Sequence, residues 1–241
     1  MVTLTIDGRE VQAEEGKVIL EVARDNNIYI PALCYHEEVT PYGACRLCMV
    51  EITKRGRERL VASCLYPVED GLIVKTDSPK VTHVRNMVME LLLARCPDSP
   101  ELQDLAIKLG IEKTRFIPEE GNRKCILCAL CARVCQEVVG VAAVSLVNRG
   151  VNKQMATPFY EFSEVCIACG SCAEICPTRA IGIEDVGDTR IITMPHVTME
   201  FKLKKCKTCG RYWAPERQLD YIIKQANLPA DAFDNCFDCR D

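Results

Sequence analysis

Several features are scarce in this sequence, and each shortage excludes something. Of 241 residues, three are histidine, one is tryptophan and 6% are aromatic. No lysine- and arginine-rich block stands out: 30 basic side chains face 34 acidic ones, for a formal charge of −4, so no nucleic-acid surface is expected. No apolar run approaches the ~20 residues of a membrane helix. The most apolar helical stretch, residues 87–94, is short and contains Glu90. Residues 1–6 show neither the basic n-region nor the apolar h-region of an export signal. The expectation is a cytoplasmic chain with no direct membrane span. No Gly-rich nucleotide fingerprint, P-loop, Ser–His–acid or Cys–His nucleophile set is present. No catalytic residue is therefore assigned, and no organic substrate is expected.

Cysteine, by contrast, is abundant. A secreted disulfide scaffold would be shorter, yet this chain carries 17 cysteines, and all but Cys96 fall into sets of four. The first set is Cys34, Cys45, Cys48 and Cys64. The second and third are Cys125-Cys128-Cys131-Cys135 and Cys166-Cys169-Cys172-Cys176. The last pairs Cys206 and Cys209 with Cys236 and Cys239. Sets of four thiolates suit tetrahedral metal or iron–sulfur ligation in a reducing compartment.

Spacing separates the chemistries. The first set, C-x10-C-x2-C-x15-C, brings three thiolates from one loop and a fourth from a strand end. That arrangement suits a [2Fe–2S] cluster, with Gly43 and Ala44 expected to free backbone amides toward the sulfurs. A structural zinc site would more often use two CxxC knuckles. The repeated C-x2-C-x2-C-x3-C predicts two [4Fe–4S] clusters, the fourth cysteine of each run serving the other cube. This pairs Cys125, Cys128 and Cys131 with Cys176, and Cys166, Cys169 and Cys172 with Cys135. Pro177 closes the second run, and Gln136 stands at the matching place in the first. The set Cys206, Cys209, Cys236 and Cys239 is two knuckles and suits Zn²⁺, with a rubredoxin-like iron or a further [2Fe–2S] cluster as alternatives. Lys202, Lys204, Lys205, Lys207 and Arg211 read as a solvated basic face, and Cys96 as a small buried hydrophobe. His36, near Cys34, is not needed as a ligand.

Local patterning places these sets on an α+β chain. Alternation in residues 2–13 around Asp7-Gly8 predicts a hairpin, residues 18–26 a helix, and residues 49–53, 59–62 and 72–76 strands. Residues 80–94 read as a helix with an apolar stripe of Val81, Val84, Val88 and Leu91, widened by Met87 and Leu92. Ser99-Pro100-Glu101 starts a second helix that Gly110 ends. Residues 125–135 and 166–176 form an internal repeat, with an apolar run at 138–147 and a turn at Asn148-Arg149-Gly150 between them. The expected domains are 1–78, a [2Fe–2S] domain; 79–120, a helical linker; 121–190, a two-cube domain; and 191–241, a small four-cysteine metal module.

Pro31-Ala32-Leu33-Cys34 and Gly43-Ala44-Cys45-Arg46-Leu47-Cys48-Met49-Val50-Glu51 carry a resemblance. They resemble the iron–sulfur domain shared by the large iron–sulfur subunit of respiratory complex I, iron-only hydrogenases and diaphorase subunits of NAD-linked nickel–iron hydrogenases. Glu101-Leu102-Gln103-Asp104-Leu105-Ala106, Cys125-Ile126-Leu127-Cys128 and Asn148-Arg149-Gly150 extend it to about residue 185. The resemblance implies an N-terminal β-grasp [2Fe–2S] ferredoxin-like domain and a bacterial-type 2[4Fe–4S] ferredoxin domain. In that family the segment after the first long helix usually adds a His and three Cys for another cube. Here Arg95-Cys96-Pro97-Asp98-Ser99-Pro100 lacks them, so that cluster is not carried over. Cys96 falls about where the His would be.

The implied role is an electron relay between a flavin/NAD(P)H-binding iron–sulfur subunit and a hydrogenase or formate dehydrogenase catalytic subunit, including the electron-bifurcating kind. A free-standing multi-cluster ferredoxin and a zinc-only interaction protein are the rival readings. The succinate dehydrogenase iron–sulfur subunit fits poorly, because its first spacing is C-x4-C-x2-C.

Overall fold

The computed structural model describes residues 1–120 and 123–240, leaving Gly121, at the expected domain edge, Asn122 and Asp241 outside the description. The chain is a mixed α/β protein that divides into two units, Met1–Cys128 and Ala129–Asp241.

In the first unit β1 (Val2–Ile6) and β2 (Arg9–Ala13) form the expected hairpin. Asp7 and Gly8 both take positive φ, as a two-residue turn between right-twisted strands requires. Helix α1 (Ile19–Asp25) follows, then β3 (Met49–Lys54), β4 (Arg57–Ala62) and β5 (Ile73–Lys75). The five strands lie in the order β2-β1-β5-β3-β4, with β1 and β5 parallel and every other pair antiparallel. Leu4, Ile6, Val50, Ile52 and Val74 alternate inward to meet Ile19, Leu20, Val22 and Ala23 of α1. Burying each of the larger side chains contributes roughly 1.5–3 kcal/mol.

Helix α2 (Pro79–Arg95) begins with Ser78 Oγ accepting from the Val81 amide, and α3 (Pro100–Lys108) with Ser99 Oγ accepting from that of Leu102. Such caps are worth about 1 kcal/mol each. The buried face of α2 is rotated from the expected stripe. Val81, Arg85, Met89 and Leu93 point inward, while Met87 and Leu91 are exposed. Arg85 is polar and so falls outside any apolar stripe, yet its guanidinium finds carbonyl acceptors inside. Beyond α3 the chain turns back: Thr114 Oγ1 donates to Glu90 O (2.8 Å), the Glu119 amide to Ala94 O (2.7 Å) and Arg95 Nε to Cys125 O (3.3 Å). The start of the first four-iron motif is thereby tied to the end of α2.

The second unit opens with α4 (Leu130–Arg133), which continues into a π-helical turn at Val134–Val138. The hairpin of β6 (Ser145–Val147) and β7 (Gln154–Ala156) comes next, turning where Asn148 and Gly150 take positive φ. Helix α5 (Ser171–Glu174) precedes β8 (Gly182–Val186), β9 (Thr189–Thr193), β10 (Thr198–Lys205), β11 (Tyr212–Pro215) and α6 (Glu216–Ala226). These last four strands make an antiparallel sheet, β11-β10-β9-β8. Met199, Phe201 and Leu203 alternate inward along β10 and Leu219 of α6 is buried with them. This sheet was not foreseen, although the period-two alternation in residues 198–205 is its signal. Among the described residues no helix is long and apolar enough to cross a membrane.

Candidate iron–sulfur and metal centres

The loop holding Cys34, Cys45 and Cys48 is anchored at both ends by α1 and the sheet. Glu21 accepts from the Val18 amide (3.0 Å) and from the Tyr35 hydroxyl (2.7 Å), fixing the residue after Cys34 to the helix start. Cys64 follows β4, where the Ser63 amide donates to Cys48 O and Ser63 O accepts from the Leu20 amide. All four cysteines are buried, and none forms a disulfide. They meet as two pairs. The Cys45 amide donates to Cys34 Sγ (3.4 Å), and Cys48 Sγ lies 3.4 Å from Cys64 Sγ.

Within each pair a shared proton splits the acidities. Cys45 is held down to about 6, first by its hydrogen bond with Cys34 and then, against burial, by amides of Leu47, Leu33 and Cys34. Cys48 is lowered to about 7, first by its hydrogen bond with Cys64. Cys34 and Cys64, the proton holders, are pushed up. Two buried thiol pairs, each with one thiol lowered and lined by amides, fit two irons that each take two thiolates. The expected free amides of Gly43 and Ala44 are not the donors found here; Gly43 instead bends the loop at φ +69°. His36 Nδ1 accepts from the Glu38 amide (3.2 Å).

A Cβ on Gly43 would stand 2.5 Å from Leu65 Cδ1 in a backbone region that L-residues avoid. Gly43→Ala is expected to destabilise this loop by about 1–3 kcal/mol and to lower two-iron content while the four-iron signals persist. EPR quantification of each centre checks this, and full two-iron occupancy would contradict it.

The repeat seen in the sequence is also a repeat of backbone. Leu127 and Ala129 take positive φ, and so do Ala168 and Gly170 at the equivalent places. Such left-handed residues wind a chain tightly and turn its amides to one side. Cys125 and Cys128 belong to the first unit, Cys131 and Cys176 to the second. Cys131 lies in α4 and Cys172 in α5. After Cys135 the helix continues as the π-turn, because Gln136 carries the N–H that Pro177 lacks. Amides again point at the fourth sulfurs: Ala143 N donates to Cys135 Sγ and Ala180 N to Cys176 Sγ, both at 3.2 Å.

Within the second unit, Cys135, Cys166, Cys169 and Cys172 line one pocket together with Val139, Val141, Val144, Ile167, Ile192 and Met194. Burial raises Cys135 and Cys166, and pushes Cys172 up to about 12, with neighbouring thiols adding to each shift. Four sulfurs in an apolar pocket suit an anionic cluster that water must not reach. Ile192 and Met194 flank the pocket from and just beyond β9. Arg190 Nη1 donates to Ala168 O (3.2 Å) while the guanidinium pairs with Asp185. These supports were not identified from the sequence.

Comparison with known proteins agrees with this geometry. Residues 1–79 match the 2Fe-2S iron-sulfur cluster binding domain, and residues 124–180 the 4Fe-4S dicluster domain. A chain from the crystal structure of an NAD+-reducing [NiFe]-hydrogenase in the H2-reduced state superimposes with a TM-score of 0.58. It is 32% identical, and the match covers 65% of this chain and 74% of that one. This chain belongs to that iron–sulfur family. Among curated relatives, the mitochondrial NADH-ubiquinone oxidoreductase 78 kDa subunit of Neurospora crassa is 33% identical over 205 residues, covering 75% of this chain and 27% of its own length. The NADP-reducing hydrogenase subunit HndD of Solidesulfovibrio fructosivorans is 35% identical over 212 residues, covering 75% and 36%. The chain thus spans between about a quarter and about a third of the length of these curated relatives. It is an iron–sulfur protein homologous to part of each of these subunits.

The fourth cysteine set lies beyond both matched domains of this family member. Cys206, Cys209, Cys236 and Cys239 bring their sulfurs within 4.8 Å of one another. A tetrahedral ion with metal–sulfur bonds of about 2.3 Å sets its sulfurs about 3.8 Å apart, and Cys209 Sγ lies 3.8 Å from Cys236 Sγ. The first knuckle closes as Gly210 N donates to Cys206 O, and Cys206 N to Arg211 O. Cys206 Sγ accepts from the Cys209 and Cys236 amides (3.5 and 3.3 Å), which hold it down to about 6. Burial opposes ionisation of Cys236, but hydrogen bonds, led by Arg211, bring it below the ordinary thiol value. The basic residues are not uniformly a solvated face. Arg211 Nη2 donates to Cys236 Sγ (3.4 Å) and pairs with Asp238, while Lys204 and Lys207 both pair with Asp234. Cys96 is buried as expected, and burial pushes it up to about 12.

Proposed function

We propose that this chain is the electron-relay subunit of an NAD(P)-linked oxidoreductase complex. It stands between a flavin/NAD(P)H-binding iron–sulfur subunit and a catalytic subunit of the hydrogenase or formate dehydrogenase kind, with no substrate site of its own. The observation that supports this most is the apolar pocket at which Cys135 joins Cys166, Cys169 and Cys172. These four are the ligands of one [4Fe–4S] cluster in this reading. Cys125, Cys128, Cys131 and Cys176 hold the other, and Cys34, Cys45, Cys48 and Cys64 a [2Fe–2S] cluster. Clusters so bound exchange single electrons at potentials set by charge, burial and hydrogen bonds to sulfur. The protein's part is to exclude water, to aim amides at the sulfurs and to keep the centres in sequence.

The layout follows: a β-grasp ferredoxin-like domain in residues 1–78, a helical linker in 79–120, a bacterial-type two-cube domain in 121–190 and a four-cysteine module in 191–241. One Zn²⁺ suits Cys206, Cys209, Cys236 and Cys239, whose four sulfurs close around a single point, unlike the paired sulfurs of the N-terminal site.

Anaerobic purification tests the assignment. Each chain is expected to carry about ten iron, about ten acid-labile sulfide and about one zinc, to co-elute with flavin and catalytic subunits, and to be reduced by NAD(P)H in their company. A colourless, sulfide-free sample would mark a zinc protein. A monomer exchanging electrons by itself would mark a free carrier.

A further inference from the structure

Arg85 sits in the middle of α2, on its buried face, and is 8% exposed. Among the described residues its guanidinium is held by main-chain carbonyls. Nε donates to Leu47 O (3.1 Å), and Nη2 to Met49 O (2.8 Å) and Thr76 O (2.9 Å). Leu47 and Met49 are the two residues flanking Cys48. Among the described residues no carboxylate forms an ion pair with Arg85. Asp7, one of the acids within electrostatic range, is itself engaged by the Thr76 amide and hydroxyl at 2.7 and 2.6 Å.

A buried cation without a paired anion is costly, and proteins keep one only where a negative charge lies close by. The nearest candidate is the cysteine set itself, since Cys48 is the leading group that favours the charged guanidinium. The Ser63 hydroxyl, next to Cys64, is fully buried with no hydrogen-bond partner among the described residues. A positive charge is thus fixed on the two residues that flank one ligand. A two-iron centre with four thiolates is anionic when oxidised and gains one more negative charge on reduction. A fixed positive charge held beside it favours the reduced form.

We propose that Arg85 is an electrostatic positioning residue that raises the reduction potential of the two-iron centre through the Cys45–Cys48 loop. This rests on the reading of Cys34, Cys45, Cys48 and Cys64 as that centre. The rival role is a strut, in which Arg85 merely fastens α2 to the loop.

The test is an EPR-monitored potentiometric titration of the full chain, assembled anaerobically. A two-iron signal in the unsubstituted protein secures the underlying reading; its absence overturns that reading, whatever Arg85 does. Arg85→Gln removes the charge and keeps a donor at the place of Nε, which bonds Leu47 O. At the parent's midpoint its reduced-to-oxidised ratio is expected to fall about tenfold, equivalent to ~59 mV for one electron. Arg85→Lys, which restores charge but not the fork, is expected to stay within about twofold of the parent. An unchanged midpoint in Arg85→Gln, or an equal shift in both variants, would leave only the strut. Should Arg85→Gln hold no cluster, the Lys variant decides: a parental midpoint supports the proposal and a tenfold displacement of the ratio overturns it.

Discussion

Cys135→Ala is expected to abolish the four-iron cluster assigned to Cys166, Cys169 and Cys172, removing about four of about ten irons. It should leave intact the cluster assigned to the cysteines next to it in sequence. The reason lies in the pocket: Cys135 Sγ receives the Ala143 amide and lines the same apolar cavity as the three cysteines of the later motif. Three ligands spaced three residues apart curl around one corner of a cube, and the fourth must come from elsewhere. Two control variants give the experiment its direction. Cys172→Ala should erase the same EPR signal as Cys135→Ala, whereas Cys131→Ala should erase the other. If Cys135→Ala and Cys131→Ala instead remove one and the same signal, the crossed ligation is refuted.

The second large effect is expected at the other end of the chain. Cys236→Ala should lower bound zinc at least tenfold and unfold the two knuckles, leaving iron and sulfide at their parental values. Cys236 is fully buried, donates its amide to Cys206 Sγ and receives the Arg211 guanidinium. Its loss leaves three sulfurs and a cation facing an empty corner. Structural zinc contributes on the order of 10 kcal/mol to a module of this kind, and few buried apolar groups stand ready to replace it. Metal analysis and limited proteolysis across residues 206–240 check this. Retained zinc would show that the site lies elsewhere, and a drop in iron would show that iron occupies it.

The first unit was legible because its signals are local. Asp7-Gly8 can take the positive φ values of a tight hairpin, Ser99-Pro100 can cap a helix, and each did so in the structure. Two stretches misled for a physical reason. On α2, apolar spacing predicts a stripe of Val81, Val84, Val88 and Leu91; Val81 is buried and Leu91 exposed. Nothing local reveals that three distant carbonyls will accept the charge of Arg85. In residues 182–215, cysteine spacing carries no signal of the alternation that builds a four-stranded sheet. Ile192 and Met194 consequently went unnoticed as neighbours of the pocket thiols.

The presence of a two-iron domain and a four-iron dicluster domain was legible in the sequence alone, because thiolate chemistry and the three-residue rhythm of the repeat admit few other arrangements. How each sulfur is tuned was decided only in three dimensions. Which amides face Cys34 and Cys45, which cation stands beside Cys48 and which guanidinium touches Cys236 all depend on residues far apart in the chain. Electrostatic and hydrogen-bonding terms act through space over a few ångströms, and only the folded backbone sets those separations.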